Sequence, residues 1–324
     1  TNYTYDSVGR LKTVGDNQNQ LATYNYNQDN TINNITYNNN ITIKYSYDQN
    51  NNVTNIVQKN NEQIINTYKY TYDNNDNIIN QTKNGNKTTY TYDELNQLVA
   101  VEYPEVGMET YTYDNVGNRL TKTHEGQTTN YTYNNLNQLT NIEENDIITS
   151  YDYDQNGNLI KEEKQGQEIN YTYNQLDQLI EVQQSNGSWQ QNIYGALGLR
   201  NAVVENGIYT NFINNGTNVI AEADIHNKIT KTNISGYSLL ASKDQVGRNY
   251  YYLQNGHTDI ESIVDEEGKI KNTYEYDAFG NITKKIQQMP NRYTYAGEQY
   301  DEITSNYYLR ARYYNPSIGR FLQE

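Results

Sequence analysis

Residues 151–167, Tyr-Asp-Tyr-Asp-Gln-Asn-Gly-Asn-Leu-Ile-Lys-Glu-Glu-Lys-Gln-Gly-Gln, contain one complete copy of the pattern that decides the fold. Tyr151 and Tyr153 flank a polar residue, which is the period of a half-buried β-strand and predicts that both rings face the same side. Asp154 and Gly157 suit a tight turn, because the carboxylate can accept backbone hydrogen bonds and glycine tolerates a positive φ. A return strand and a second polar turn follow. The stretch therefore predicts a β-hairpin.

The same pattern recurs along most of the chain. Further copies begin at Tyr3, Tyr24, Tyr45, Tyr70, Tyr90, Tyr111, Tyr131, Tyr171 and Tyr274. Most steps between copies are about 20 residues, a period typical of repeat architectures. The repeat signature comprises the tyrosines, turn carboxylates and turn glycines of four copies: Tyr3, Tyr5, Asp6, Tyr90, Tyr92, Asp93, Tyr111, Tyr113, Asp114, Gly117, Tyr151, Tyr153, Asp154 and Gly157.

These repeats predict an all-β fold. Tandem hairpins laid side by side form one long sheet, and sheets of many strands twist and curl, so we expect a curved or spiralling wall. Cross-strand aromatic pairs are expected to stack the tyrosines into ladders. Little helix is expected, because no amphipathic stretch of helical period lasts more than about two turns. Residues 1–187 are interpreted as tandem repeats, and residues 188–324 as degenerate repeats followed by a terminal core.

Composition narrows the possible functions. Apolar residues make up only 35% of the chain, whereas 36 tyrosines stand beside 3 phenylalanines and 1 tryptophan. Tyrosine buries a large ring and keeps a hydroxyl for water or a partner, which predicts a partly wet interior. The net charge of −15 opposes binding to nucleic acid. There is no cysteine and no apolar run long enough to span a bilayer, and targeting signals are expected to lie outside this sequence.

The last third of the sequence contains longer motifs. They are Tyr250–Gly268, Tyr274–Asn281, Tyr293–Asp301 and the run Tyr-Tyr-Leu-Arg-Ala-Arg-Tyr-Tyr-Asn-Pro-Ser-Ile-Gly-Arg-Phe at residues 307–321. Together with the repeats, these motifs resemble the RHS repeat-associated core of bacterial RHS and wall-associated toxins, Tc-toxin B and C subunits, and teneurins. The core-motif residues are His257, Asp277, Gly280, Arg310, Arg312, Tyr313, Tyr314, Pro316, Gly319 and Arg320.

The resemblance implies a structural function. It implies a β-sheet shell that encloses or presents a linked C-terminal toxin polypeptide and that is secreted or displayed on a bacterial cell surface. In toxin-bearing members an aspartate-based self-cleavage frees the cargo, and here that step would need residues beyond Glu324. Asn315 stands where the family pattern has aspartate. We therefore expect a shell segment that is not itself an enzyme and that needs no cofactor.

A search for catalytic and metal-binding patterns agrees with a non-enzymatic function. His124, His226 and His257 lie in different repeats without the spacing of metal ligands, and a structural hydrogen-bonding role is expected for His257. The segment Asp73–Asn77 clusters oxygen atoms but lacks the full calcium-binding loop. Carboxylates that recur in every hairpin fit turn chemistry better than a single active site. No catalytic residue and no metal site are predicted.

Three arginines in the terminal run suggest a plug. Arg310, Arg312 and Arg320 can stack on aromatic rings and pair with carboxylates, so we expect them to tie the last strands to the wall, and replacing Arg312 with alanine should lower thermal stability. Two rival functions remain open. Exposed tyrosine ladders could bind glycans at a cell surface, and open sheet edges could pair with further copies in a self-assembling array.

Overall fold

The computed structural model describes residues 1–16 and 19–323. The regular elements in that part of the chain are β-strands, apart from one 3-10 turn, Tyr295–Gly297. The strands form a 28-stranded sheet and a separate four-stranded sheet. The prediction of an all-β fold with little helix is confirmed.

The strands of the large sheet follow one another with short turns between them. The first eight are β1 (Asn2–Tyr5), β2 (Leu11–Gly15), β3 (Gln20–Tyr26), β4 (Ile32–Tyr37), β5 (Ile41–Tyr47), β6 (Val53–Asn60), β7 (Gln63–Tyr72) and β8 (Ile78–Lys83). The next twelve are β9 (Asn86–Tyr92), β10 (Leu98–Tyr103), β11 (Gly107–Tyr113), β12 (Arg119–His124), β13 (Gln127–Tyr133), β14 (Leu139–Glu144), β15 (Ile147–Tyr153), β16 (Leu159–Lys164), β17 (Gln167–Tyr173), β18 (Leu179–Gln184), β19 (Trp189–Tyr194) and β20 (Arg200–Glu205).

Eight more strands complete the large sheet, and four short ones form the small sheet. The former are β21 (Ile208–Asn215), β22 (Asn218–Ala223), β23 (Ile229–Ser235), β24 (Leu239–Asp244), β25 (Asn249–Gln254), β26 (Ile260–Val264), β27 (Ile270–Tyr276) and β28 (Ile282–Gln287). The latter are β29 (Gln299–Asp301), β30 (Asn306–Leu309), β31 (Arg312–Asn315) and β32 (Arg320–Phe321).

Strand pairing follows the order of the chain. In the pairings given for the described residues, each strand runs antiparallel to its neighbour in sequence. Where β11 meets β12, the register shifts so that Tyr113 lies opposite Arg119, and the same shift recurs at Tyr133 and Tyr153. Such a β-bulge increases the local twist of the strand. The second tyrosine of a repeat therefore marks a fixed point in the register.

The two tyrosines of a repeat share one side of the sheet, as predicted. The rings of Tyr68 and Tyr70, for example, are stacked with their centroids 6.4 Å apart. The prediction of tyrosine ladders across adjacent strands is wrong for the repeats, because strands with Tyr-x-Tyr alternate with strands that lack it. Tyr131 accordingly lies opposite Ile142. Directly opposed tyrosines do occur in the four-stranded sheet.

One compact unit consists of Thr1–Thr88, Asn218–Ala223 and Lys228–Glu298. Its core joins the tyrosine-bearing side of the first strands to apolar residues of β23–β26. Tyr37 and Tyr251 meet edge to face there, with ring centroids 5.3 Å apart. The composition predicted a partly wet interior. In this unit, buried side chains pack against one another on the tyrosine-bearing side of the first strands.

The second compact unit consists of Thr89–Thr217, Asp224–Asn227 and Gln299–Glu324. Its core contains repeat tyrosines and leucines together with residues of the small sheet. The boundary predicted between residues 187 and 188 separates regular from degenerate repeats. The division into compact units does not test it, so it stays a prediction.

Candidate functional site

The turn carboxylates of the repeats bind their own turns. Asp114 Oδ1 accepts hydrogen bonds from the backbone N–H of Val116 and of Asn118 (3.0 and 2.8 Å), and Oδ2 accepts one from the Asn118 amide (2.8 Å). Gly117 has a φ of 90°. The hydrogen bond from Asn118 holds the pKa of Asp114 below its ordinary value. Asp6, Asp93 and Asp154 each accept the same two backbone bonds. These carboxylates therefore serve separate turns and do not converge on one site.

The second tyrosine of a repeat ties neighbouring strands together. The Tyr113 hydroxyl donates to the carbonyl of Leu98 (2.7 Å), and the Tyr133 hydroxyl donates to the carbonyl of Arg119 (2.9 Å). Each bond joins the end of one strand to the beginning of the strand before it. The short turn between these two strands connects their other two ends, so the hydroxyl closes the open end of the hairpin. The first tyrosine points deeper, since Tyr111 is only 2% exposed.

The other signature tyrosines differ in burial. Tyr151 is buried, whereas Tyr153, Tyr90 and Tyr92 are half-buried. Tyr3 and Tyr5 in β1 are exposed, and the Tyr3 hydroxyl donates to the carbonyl of Ser235 (3.1 Å). The tyrosine pattern therefore marks strands throughout, whereas the degree of burial depends on what packs against each strand.

The four-stranded sheet packs on the tyrosine-bearing side of the repeats in the second unit. We call residues 299–323 the C-terminal plug. Four of its buried residues cluster with Leu139, Leu159, Leu179 and Val182 of the repeats, namely Tyr308, Tyr313, Ile318 and Leu322. A backbone hydrogen bond from the N–H of Leu159 to the carbonyl of Leu322 (2.9 Å) joins the two sheets. The plug is therefore held by an apolar core and by the backbone.

A buried ion pair anchors the beginning of the plug. Arg200 and Asp301 have side chains that are 0% exposed, and both guanidinium Nη atoms bond the carboxylate. Arg200 Nη2 also donates to Gln299 Oε1 (2.7 Å), and the guanidinium lies 4.4 Å from the ring centre of Tyr308. Burial opposes the charge on Arg200, but the Asp301 carboxylate outweighs it and raises the pKa of the guanidinium. The arrangement is a bidentate, fully desolvated clamp.

Two further arginines hold the end of the plug. Arg119 Nη2 donates to the carbonyl of Ile318 (3.0 Å). Arg320 donates from Nη1 to Asn118 Oδ1 (2.9 Å) and from Nη2 to the carbonyl of Asn137 (2.8 Å). The geometry thus places Arg320 where the sequence predicted an arginine that ties the last strands to the wall.

Arg200, Asp301 and Arg119 were not among the residues predicted from the sequence. A signal was nevertheless present. Arg119 and Arg200 follow their turns at the position where other repeats have a buried leucine, such as Leu139 or Leu159. An arginine at a position that faces the core requires a partner, and the plug supplies it.

The remaining core-motif residues of the plug shape its own fold. Arg312 is exposed and lies 3.8 Å from the ring centre of Phe321, while Tyr314 meets the same ring at 5.7 Å. Tyr313 is buried in the cluster with the repeats. Three others occupy turns or their ends, namely Arg310 with a φ of 60°, Gly319 with a φ of 67°, and the buried Pro316.

His257 belongs to a polar cluster in the first unit. Its Nδ1 lies 2.8 Å from Asp259 Oδ1, and that hydrogen bond raises the pKa of the imidazole. The amide of Asn255 donates to both Asp259 and Glu261 (2.8 and 2.9 Å). Lys83 pairs with Glu261, whose pKa is raised by burial. The cluster lies inside the first unit.

Asp277 and Gly280 form a turn that is fitted to an aromatic ring. Asp277 Oδ1 accepts hydrogen bonds from the backbone N–H of Phe279 and of Asn281, both at 2.9 Å. Gly280 has a φ of 94°, and a Cβ atom there would lie 2.6 Å from Cδ1 of Tyr295. Glycine is therefore required at this position for two reasons: the positive φ is unfavourable for other residues, and a side chain would clash with the Tyr295 ring.

The oxygen-rich turn at residues 73–77 satisfies its own carboxylates. Asp73 accepts bonds from the backbone of Asn75 and Asn77, and Asp76 Oδ1 accepts one from the Asn52 amide (2.6 Å). Within residues 1–16 and 19–323, no group of three or more histidines, cysteines or acidic residues is placed to hold a metal ion. No helix in that same part of the chain is long and apolar enough to cross a membrane.

Comparison with known proteins assigns the fold to a family. Residues 82–324 match the sequence model of the teneurin YD-shell family. This chain belongs to that family. The resemblance drawn from the terminal motifs is thereby confirmed, because the YD-shell match covers both the later repeats and the plug.

Relatives of this YD-shell chain include proteins that are named as nucleases. It is 44% identical over 135 residues to the tRNA3(Ser)-specific nuclease WapA of Bacillus spizizenii, and 42% identical over 135 residues to the tRNA nuclease WapA of Bacillus subtilis. Each match covers 40% of this chain and 6% of the relative. Among solved structures, the Photorhabdus luminescens Tc holotoxin pore matches with a TM-score of 0.79 at 19% identity, over 99% of this chain and 19% of the other. A TcdB2–TccC3–Cdc42 complex matches with a TM-score of 0.58 at 17% identity, over 99% of this chain and 19% of that one.

Proposed function

We propose that this chain is a structural part of a shell that encloses or presents a polypeptide joined to its C-terminal end. The observation that carries the proposal is the position of the plug. Its last strands pack on the tyrosine-bearing side of the repeats, where Leu322 is 1% exposed and bonds the backbone of Leu159. A polypeptide that continues from the plug in a longer natural chain starts at this covered side of the sheet.

The relatives support a toxin as the enclosed polypeptide. The WapA proteins are named as tRNA nucleases, and the structural neighbours are Tc toxins. Because this chain spans 6% of the WapA proteins and 19% of the Tc chain, the activity of those proteins is not transferred to it. We assign to this segment a non-enzymatic function, and to the whole protein a secreted or surface location in a bacterium.

The test uses the natural polypeptide that contains residues 1–324 and whatever follows them. The purified protein is treated with added protease, and the products are identified by mass spectrometry. We expect a downstream piece, whether self-cleaved or still linked, to survive digestion under native conditions and to be degraded after denaturation. Complete digestion of that piece in the native protein would count against an enclosing shell.

A pair of arginine variants sharpens the test. Arg320→Ala removes two bonds between the plug and the repeats, and we expect it to shorten the lifetime of the downstream piece. Arg248→Ala is the matched control, because Arg248 pairs with Asp244 in its own turn and its side chain is 66% exposed. Equal protection in the two variants would mean that the plug does not retain the polypeptide.

The rival functions lack a specific observation in their favour. A glycan-binding ladder requires exposed tyrosines, whereas Tyr111, Tyr151 and Tyr171 are 2%, 5% and 4% exposed. The comparisons include no support for glycan binding or for self-association. Both ideas stay predictions of the sequence alone.

A further inference from the structure

Three side chains of the polar cluster in the first unit can react with one another. Lys83 in β8 pairs with Oε2 of Glu261 in β26. The amide of Asn255, the residue that follows β25, donates to Oε1 of the same carboxylate (2.9 Å). Asn255 is 7% exposed and Glu261 is 5% exposed. One buried carboxylate therefore contacts both a primary amine and a carboxamide.

The carboxamide of Asn255 is held in the orientation that a nucleophile requires. Its Oδ1 accepts hydrogen bonds from the backbone N–H of His257 and of Asp259 (2.9 and 3.0 Å). Two such donors stabilise the negative charge that develops on a carbonyl oxygen when a nucleophile adds to its carbon. The nitrogen of the same carboxamide donates to the carboxylates of Asp259 and Glu261 (2.8 and 2.9 Å). The turn thus polarises the carbonyl and leaves a carboxylate beside the leaving nitrogen.

Glu261 is placed to carry a proton. Burial raises the pKa of its carboxyl, although the charge of Lys83 opposes this. The Tyr68 hydroxyl, in a side chain that is 0% exposed, donates to Oε2 at 3.2 Å. Because buried charges lose their hydration, transfer of a proton from Lys83 to Glu261 is favoured over its usual course in water. The transfer leaves a neutral amine that can attack a carbonyl carbon.

We propose that Lys83 and Asn255 join in an intramolecular isopeptide bond, with Glu261 as the catalytic residue. The bond from Lys83 Nζ to Asn255 Cγ forms, the Cγ–Nδ2 bond breaks, and ammonia leaves. Of the three ammonium hydrogens of Lys83, one stays on the new amide, one leaves with the ammonia, and one passes to the Glu261 carboxylate. The reaction takes place once in each chain and consumes no other molecule, so it is a modification and not an enzymatic turnover.

The bond would connect parts of the first unit that are distant in sequence. Lys83 lies in β8, and Asn255 lies directly after β25 (Asn249–Gln254). A covalent link of this kind restricts the unfolded chain, as a disulfide does. The chain has no cysteine and therefore no disulfide that could do the same.

The second unit contains a matched site that lacks the carboxamide. Lys122 Nζ lies 2.9 Å from Glu109 Oε1, and the Tyr111 hydroxyl donates to Oε2 (2.5 Å). The side chains of Lys122 and Glu109 are 28% and 10% exposed, compared with 29% and 5% for Lys83 and Glu261. Within the part of the chain that the structure describes, the hydrogen bonds of Glu109 include no asparagine amide. Lys122 has no electrophile beside it and is expected to keep a free amine.

Peptide mapping tests the bond. The natural polypeptide that contains residues 1–324 is purified, denatured and digested with trypsin, and the products are identified by tandem mass spectrometry. A bond at Lys83 blocks cleavage there, so we expect a branched product that joins residues 70–87 to residues 249–269 and weighs one ammonia less than the two peptides together. Cleavage after Lys122 is expected to be normal.

Two arginine variants provide the controls. Lys83→Arg keeps the charge that pairs with Glu261 but has no primary amine, so it should yield only unlinked peptides. Lys122→Arg makes the same exchange at the matched site and should retain the branched product. The melting temperature should fall more in Lys83→Arg than in Lys122→Arg, because only the first variant loses a covalent link.

Two results would overturn the proposal. One is recovery of the two peptides from the natural polypeptide without linkage and with unchanged mass. The other is conversion of Asn255 to aspartate without linkage, since Gly256 follows it and ammonia would then be lost to the backbone nitrogen or to water. Glu261→Gln keeps the shape of the side chain but cannot take up the proton, so it should prevent linkage. Linkage in that variant would contradict a catalytic role for Glu261.

Discussion

Arg200 replaces the leucine of neighbouring repeats, and this single exchange determines where the plug begins. A leucine at this position buries itself against the tyrosine rings, as Leu139 and Leu159 do. A buried arginine at this position needs a carboxylate partner, because a desolvated charge without a partner is strongly unfavourable. Asp301 supplies that carboxylate from 101 residues away. The pair therefore selects one docking position for the plug among many similar repeats.

Breaking this pair should destabilise the protein. In Arg200→Met, Asp301 is left buried without its cation, and we expect the free energy of unfolding to fall by about 3–5 kcal/mol. Chemical denaturation measures the change. The double variant Arg200→Met, Asp301→Leu should recover part of the loss, because it leaves no unpaired charge. Arg248→Ala, which removes an exposed pair, should change the free energy of unfolding far less, because exposed ion pairs contribute little. A similar small loss in Arg200→Met would contradict the clamp.

The terminal arginines should differ from each other in their contributions. Arg320 makes two charged hydrogen bonds to the repeats, so Arg320→Ala is expected to lose about 1.5–3 kcal/mol. Arg312 is exposed and covers one ring of its own sheet, so Arg312→Ala is expected to lose about 0.5–1 kcal/mol. Melting temperatures of the two variants measure the order. The reverse order would mean that the plug is held mainly within itself.

At the scale of the element, the aspartate turn and the two strands beside it are held together by one recurring set of hydrogen bonds. The carboxylate orders the turn, the glycine or asparagine adopts a positive φ, and the next tyrosine hydroxyl closes the strand ends. Asn134 and Asn174 perform the same bonding without a charge. The hydrogen-bond pattern, and not the charge, is thus the constant property of the turn.

Acid should weaken the charged turns specifically. The pKa of Asp114 is lowered in the folded protein by its bonds to Asn118, from an ordinary value of 3.8. Its contribution to stability is therefore present above that value and is lost as the pH falls through the lower folded pKa. Asp114→Asn keeps the Oδ1 acceptor and does not titrate, so it should reduce the loss of stability on acidification. Urea midpoints of both proteins at neutral pH and at about pH 3 measure the difference. Parallel acid profiles would contradict this account.

The sequence was most informative about this scale. Strands, turns and the shared side of the two tyrosines follow from a pattern that is complete within about 20 residues. The tyrosine ladders were predicted wrongly because the pattern does not say which strand lies next to which. The ion pair between Arg200 and Asp301 was not predicted for a related reason. Its two residues lie in different strands that are distant in the sequence, and no local period connects them. Arg320, in contrast, belonged to a motif specific enough to be singled out.

At the scale of the whole molecule, stability depends on neutral tyrosine. Burial raises the pKa of Tyr37, Tyr68, Tyr171 and Tyr313 well above the ordinary value of 10.0, and that of Tyr251 to about 12. The folded state therefore resists ionisation of these hydroxyls, whereas the unfolded chain ionises near the ordinary value.

Alkali should consequently unfold the protein in one steep step. Stability is fully present below about pH 10 and falls as the pH rises toward the folded pKa values. We expect the ultraviolet absorbance of tyrosinate and the loss of β-sheet circular dichroism to change together. Gradual ionisation of most tyrosines with the sheet intact would show that the rings are open to solvent.

Neighbour-only pairing has a consequence for how such genes change. A duplicated or deleted hairpin leaves the pairing of the remaining strands as it was, so repeat number is free to drift in steps of one unit. Between Arg119 and Arg200 that freedom ends, because the plug contacts both arginines and one extra hairpin would move them apart by about 10 Å. Homologous genes are therefore expected to keep a constant number of codons from Arg119 to Arg200.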